Sequence, residues 1–144
     1  MSARTFFSKK QQQDIITAIK EAESNTSGEI RVHIENHSNG AVLDRAAFIF
    51  KELKMEDTAA RNGVLIYIAL KDKQFAIIGD EGINKMVEKD FWNDVKDEMA
   101  EFFKSGNFTE GVVKGILRSG EKLKKYFPHQ DDDVNELSDE ISFR

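Results

Sequence analysis

The chain has 144 residues, 40% hydrophobic and 33% charged, with a net charge of −5 and no cysteine. That length suits one domain with a real core; the missing thiols exclude disulfides, thiolate metal sites and a cysteine nucleophile. The acidic balance, without a Lys/Arg cluster interleaved with aromatics, excludes a general nucleic-acid binder.

Met1 to Phe7 lacks the apolar core of a cleavable signal peptide, and no apolar run approaches the ~20 residues of a spanning helix. The expectation is a soluble, cytoplasmic monomer without membrane insertion. Ser8-Lys9-Lys10-Gln11 reads as a capping box opening a helix, with Ile15, Ile16, Ile19 and Ala22 on one face. Glu29 to Glu35 alternates strictly, Ile30, Val32 and Ile34 against Glu29, Arg31, His33 and Glu35, which predicts a half-exposed strand near the sheet edge. A helix from Val42 to Leu53 should bury Leu43, Ala46, Ala47 and Phe50. Val64 to Leu70 is an unbroken apolar run that suits a strand covered on both faces. Strand, helix, strand implies a right-handed crossover and parallel pairing. Lys71-Asp72-Lys73 breaks the run, and Gln74 to Ile78 folds back as an antiparallel strand.

Two further helices are expected. Phe91 to Phe103 carries Trp92, Val95, Met99 and Phe102 on one stripe and stops at Gly106. Thr109, read as an N-cap, opens a last helix to Phe127, with Val113, Ile116, Leu117, Leu123 and Phe127 inward and Pro128 closing it. Residues 1–128 then form one domain, and 129–144 an acidic tail that packs back through Ile141 and Phe143, a source for a fourth strand. The predicted fold class is α/β: a Rossmann-like, three-layer αβα sandwich around a small mixed β-sheet.

Familiar enzyme signatures are missing. There is no phosphate-cradling loop, no dinucleotide fingerprint and no nucleophile elbow. His33 and His37 lie roughly 13 Å apart along a strand, too far to share one metal. Carboxylates are the better candidates, since Glu56-Asp57, Asp80-Glu81 and Glu88 with Asp90 fall in connections expected to meet at one end of the sheet. Loop oxygens suit a hard cation, Ca²⁺ ahead of Mg²⁺. The metal-ligand candidates are Glu29, Asp57, Asn62, Asp80, Glu81, Glu88 and Asp90. Asp131-x-Asp133-x-Asn135 also opens like a calcium-binding loop, but Glu136 stands at the glycine position and Ser142 where a bidentate acid belongs.

Four segments in order carry a resemblance: Ser27-Gly28-Glu29-Ile30-Arg31-Val32, Asn62-Gly63-Val64-Leu65-Ile66, Phe75-Ala76-Ile77-Ile78-Gly79-Asp80-Glu81-Gly82 and Gly106-Asn107-Phe108-Thr109-Glu110-Gly111. Together they resemble the TPM-domain family from roughly Phe6 to Phe127, with Phe91-Trp92 and the acidic tail similar to bacterial stand-alone members. The resemblance implies an αβα sandwich, divalent-cation binding in some members and acid-phosphatase activity in the plant branch. Arg61 stands where many relatives carry Asp, removing one ligand or acid/base group. The expected function is a metal-responsive binding or regulatory module with an unidentified protein partner; the alternative is a metal-dependent phosphomonoesterase.

Overall fold

The computed structural model describes residues 2–130 and 135–144. In chain order the elements are α1 (Ala3–Phe6), α2 (Lys9–Glu23), β1 (Glu29–Glu35), α3 (Val42–Glu52), β2 (Gly63–Ala69), β3 (Gln74–Gly79), α4 (Glu81–Asn84), α5 (Asn93–Lys104), α6 (Phe108–Tyr126) and β4 (Ser142–Phe143). The strands form one sheet in the order β3-β2-β1-β4. β1 and β2 run parallel with Glu29 beside Gly63, and β3 returns antiparallel with Gly79 opposite Val64. The tail supplies β4, parallel to β1 at His33 and Ile34.

Alternation sorts the sheet's side chains into two cores. Ile30, Val32, Ile34, Val64, Ile66, Ile68 and Ile77 pack under α1, α2, α5 and α6, while Leu65, Tyr67, Ala69 and Ala76 pack under α3, Met55 and Leu137. The result is the expected three-layer α/β/α fold. Ser8 caps α2 as predicted: its hydroxyl accepts the Gln11 N–H at 3.1 Å, and the Gln11 side chain accepts the Ser8 N–H at 2.8 Å. α6 meets its neighbours through small residues. A Cβ added to Gly120 would lie 2.8 Å from Ala22 Cβ and 3.1 Å from Ala22 Cα, so only glycine lets α6 and α2 approach this closely. Among the described residues no helix is long and apolar enough to cross a membrane.

Several expectations need correction. β1 is not half-exposed: on its polar face Glu29, His33 and Glu35 are 4%, 2% and 3% exposed. The covering residues come from α3 and from a tail more than a hundred positions away, which alternation along β1 does not encode. In α3, Ile49 is buried with Ala46 and Phe50, whereas Leu43 is 57% exposed and Ala47 faces water. α5 begins after Trp92 rather than at Phe91, and α6 begins at Phe108, with Asn107 rather than Thr109 at the N-cap position. The face of α6 is turned by one residue: Val112, Ile116 and Leu123 are fully buried, while Val113, Leu117 and Phe127 are half-buried. The short helices α1 and α4 have no amphipathic period long enough to read.

Candidate functional site

The N-terminal ends of β1 and β2 and the C-terminal end of β3 share one edge of the sheet. There backbone hydrogen bonds tie the open end of the β2–β3 pair: the Asp80 N–H donates to the Gly63 carbonyl at 2.9 Å, and the Gly82 N–H to the Arg61 carbonyl at 2.9 Å. A Cβ on Gly82 would stand 2.3 Å from the Ala60 carbonyl oxygen, so this approach requires glycine. Asp80 caps α4, accepting the Glu81 N–H at 2.8 Å. Its two oxygens also accept from Arg61, Nε at 2.7 Å and Nη2 at 2.9 Å, and Arg61 Nη1 reaches Glu81 at 3.2 Å. This fork is the strong, bidentate form of ion pair. Arg61 therefore supplies positive charge to the carboxylates the sequence singled out.

The other candidates are more dispersed. Asn62 lies at the same edge, buried, its amide donating to the Ser27 carbonyl at 3.3 Å. Asp57 is exposed in the turns after α3. Glu88 and Asp90 are exposed beside Asn93, Lys122 and Tyr126 in an open hollow. Asn62 meets Glu29 through the backbone, the Glu29 N–H donating to the Asn62 carbonyl at 3.4 Å. Among the described residues no hydrogen bond or ion pair joins Asp57, Glu88 or Asp90 to Asp80, Glu81 or Glu29, and no group of three or more acidic or histidine side chains converges to hold a metal ion.

Glu29 belongs to a different set of acids, where the tail crosses the start of β1. Its Oε1 accepts the Leu137 N–H at 2.6 Å. One residue earlier, Glu136 accepts the Ala59 N–H at 3.1 Å, tying the tail to the loop before β2. Glu23, ending α2, accepts the Ile30 N–H at 2.9 Å, and its carboxyl is also hydrogen-bonded to Asp139. Asn135 donates to Asp139 at 3.3 Å. Burial, the Asp139 hydrogen bond and nearby acids push Glu23 up to about 9, against the opposing Ile30 amide. Burial, with Glu136 and Asp139 nearby, pushes Glu29 up to about 7 even though the tail amides favour its charge. Arg31 lies beside the group, one Nη donating to the Glu140 carbonyl at 3.2 Å, its Nε buried without a hydrogen-bond partner.

The TPM-domain model matches residues 2–122. The chain belongs to the TPM-domain family. It is 48% identical to the BA42 protein of the psychrophilic bacterium Bizionia argentinensis, whose NMR structure superposes with a TM-score of 0.91 over 96% of each chain. The N-terminal domain of a P. gingivalis protein shares the fold at 17% identity and a TM-score of 0.71, over 88% of this chain and 83% of that one. The N-terminal domain of the cg2496 protein of Corynebacterium glutamicum does so at 9% identity and a TM-score of 0.63, over 92% and 78%. No curated protein sequence matches significantly.

In this TPM domain the acids overlooked in the sequence are Glu23, Glu136 and Asp139. A signal for Glu23 was present, because it continues the Ile15, Ile19 row at intervals of four onto the buried side of α2. Nothing local marks Asp139, whose neighbours across the fold come from residues 23–31. The calcium-loop-like run lies largely outside the described residues: of its acidic and amide positions only Asn135 is described.

Proposed function

We propose that this TPM domain is a cation-responsive binding module in which a divalent cation, Ca²⁺ first and Mg²⁺ second, takes the place of the protons that Glu23 and Glu29 hold, with Asp139 beside them. The observation that carries this reading is the hydrogen-bonded Glu23–Asp139 carboxyl pair beside buried Glu29. Such a group holds either protons or a cation, because its like charges repel. Its donors are hard oxygens on a helix end, a strand and a tail, the chemistry Ca²⁺ takes. These three carboxylates do not converge on one point in the structure, so the cation would draw helix end, strand and tail together and order the tail against the sheet. Asp80 and Glu81 form the competing location, where an ion must first displace Arg61. A phosphomonoesterase has less support, since Asp80 is clamped by Arg61 and, among the described residues, no hydroxyl is paired with a base at this end of the sheet.

Calcium titration followed by amide shifts tests the reading. The expected shifts are at Glu23, Glu29, Ile30 and Leu137 to Asp139, with a rise in melting temperature because the ion binds the folded state. Glu23→Gln should weaken binding at least tenfold. Shifts confined to Asp80–Asp90, or none, would overturn this placement.

A further inference from the structure

At the opposite, hairpin end of the sheet a half-open cavity of about 590 Å³ lies between the end of β2, the start of β3 and helices α1, α5 and α6. Ligand pockets are typically ~300–1,000 Å³, mainly apolar, with a few polar groups fixing orientation. This wall is built from linked aromatic rings. Phe75 meets Phe103 edge-on at 5.1 Å, Phe103 stacks on Phe108 at 5.8 Å, and Phe108 meets Phe6 edge-on at 5.4 Å. Phe108 stays 38% exposed at the first position of α6.

Charge in the wall is one-sided. Among the described residues Lys73 and Lys104 are its only ionisable side chains, both exposed, in a chain whose net charge is −5. Lys104 has only a loose pair with Glu101 at 4.0 Å. Gln74 borders both this cavity and a polar hollow containing Asp72. That carboxylate is engaged by His37 Nδ1 at 2.8 Å and the Ser38 N–H at 2.7 Å, which offsets its repulsion of an incoming anion. The polar side chains of the wall are Lys73, Gln74 and Lys104, so the enclosed part of a ligand meets carbon while its head meets cations.

We propose that this cavity binds a single-chain acyl carboxylate, the chain against Phe75, Phe103 and Phe108 and the carboxylate at Lys73 and Lys104. An unbranched chain suits a wall that offers its buried part little to hydrogen-bond. The carboxylate suits two ammonium groups with no acid among the lining residues. This site is independent of the cation reading, which concerns the other end of the strands.

Decanoate, kept below its micelle concentration, is the probe, with binding followed by calorimetry and amide shifts. Expected are shifts at Leu70, Gln74, Phe103 and Phe108, and affinity rising about fourfold per methylene from hexanoate to decanoate. The double variant Lys73→Glu, Lys104→Glu, altered only at exposed positions, should weaken decanoate at least tenfold while leaving decanol unchanged. Ala100→Trp, which places an indole ring in the cavity, should weaken binding of both at least tenfold. Shifts elsewhere, affinity independent of chain length, or equal weakening of decanoate and decanol in the double variant would overturn the proposal.

Discussion

Glu23 and Glu29 are carboxyls whose protons stabilise the fold, whereas Glu35, also on β1, is held as a charge. Burial works against the Glu35 charge, but hydrogen bonds from Arg45, Tyr67 and His33 outweigh it and hold the group at about 2. Arg45 Nε lies 2.7 Å from the carboxylate, and His33 Nε2 lies 3.1 Å from it. The signs are opposite. Glu35 contributes stability above its unfolded value near 4.5 and loses it as pH falls toward 2. Glu29 and Glu23 contribute fully below 4.5 and lose that contribution as pH rises through about 7 and about 9. Urea unfolding across pH should therefore show a wild-type midpoint that falls from pH 5 to 9, and a Glu23→Gln midpoint that falls less. Parallel profiles for the two proteins would remove Glu23 from this role. Of these residues, sequence alone could nominate Glu29 as a candidate; the Asp139 contact that perturbs Glu23 joins positions far apart in the chain.

Helix packing is decided by what α6 lacks. Gly120 sits against Ala22, whose Cβ, Cα and carbonyl cannot swing aside as a long side chain would. Gly120→Ala gains roughly 1 kcal/mol of helix propensity but incurs an overpacking cost of about 1–3 kcal/mol. The expected result is a net loss of up to about 2 kcal/mol in urea unfolding; a more stable variant would show that α6 and α2 can separate freely. At this scale legibility depended on how much of an element's environment was local. Val64 to Leu70 announced β2 because a strand covered on both faces is apolar throughout. Thr109 misled because its hydroxyl looked like a cap, while the chain had already turned into helix at Phe108. The buried row of α6 is mostly glycine and serine, which carry no apolar signal.

The whole molecule is closed by its tail. Leu137 enters the core on the α3 side, Ser142 Oγ lies 2.8 Å from His33 Nδ1, and Arg144 donates to Glu52 at 3.0 Å. A chain ending at Pro128 should lose at least the ~2 kcal/mol of one buried leucine. It should also self-associate through the uncovered edge of β1, because an open edge strand pairs readily. Thermal unfolding and sedimentation would check both; a monomer of unchanged stability would mean that the tail only rests on the sheet. The order of the sheet was readable from the β1–α3–β2 spacing and the break at Lys71–Lys73. The burial of β1's polar face was not, because acidic segments such as 129–140 read as solvated wherever their partners are distant.

Ser142 follows its partner His33 by 109 residues. Ribosomes add roughly 5–20 residues per second, so during synthesis β1 waits on the order of ten seconds for β4. Over that interval His33 and the outer backbone of β1 lack their tail cover, and a nascent chain meeting another copy has a strand edge to offer. The late arrival of the tail thus sets how long each newborn chain stays open to mispairing along β1.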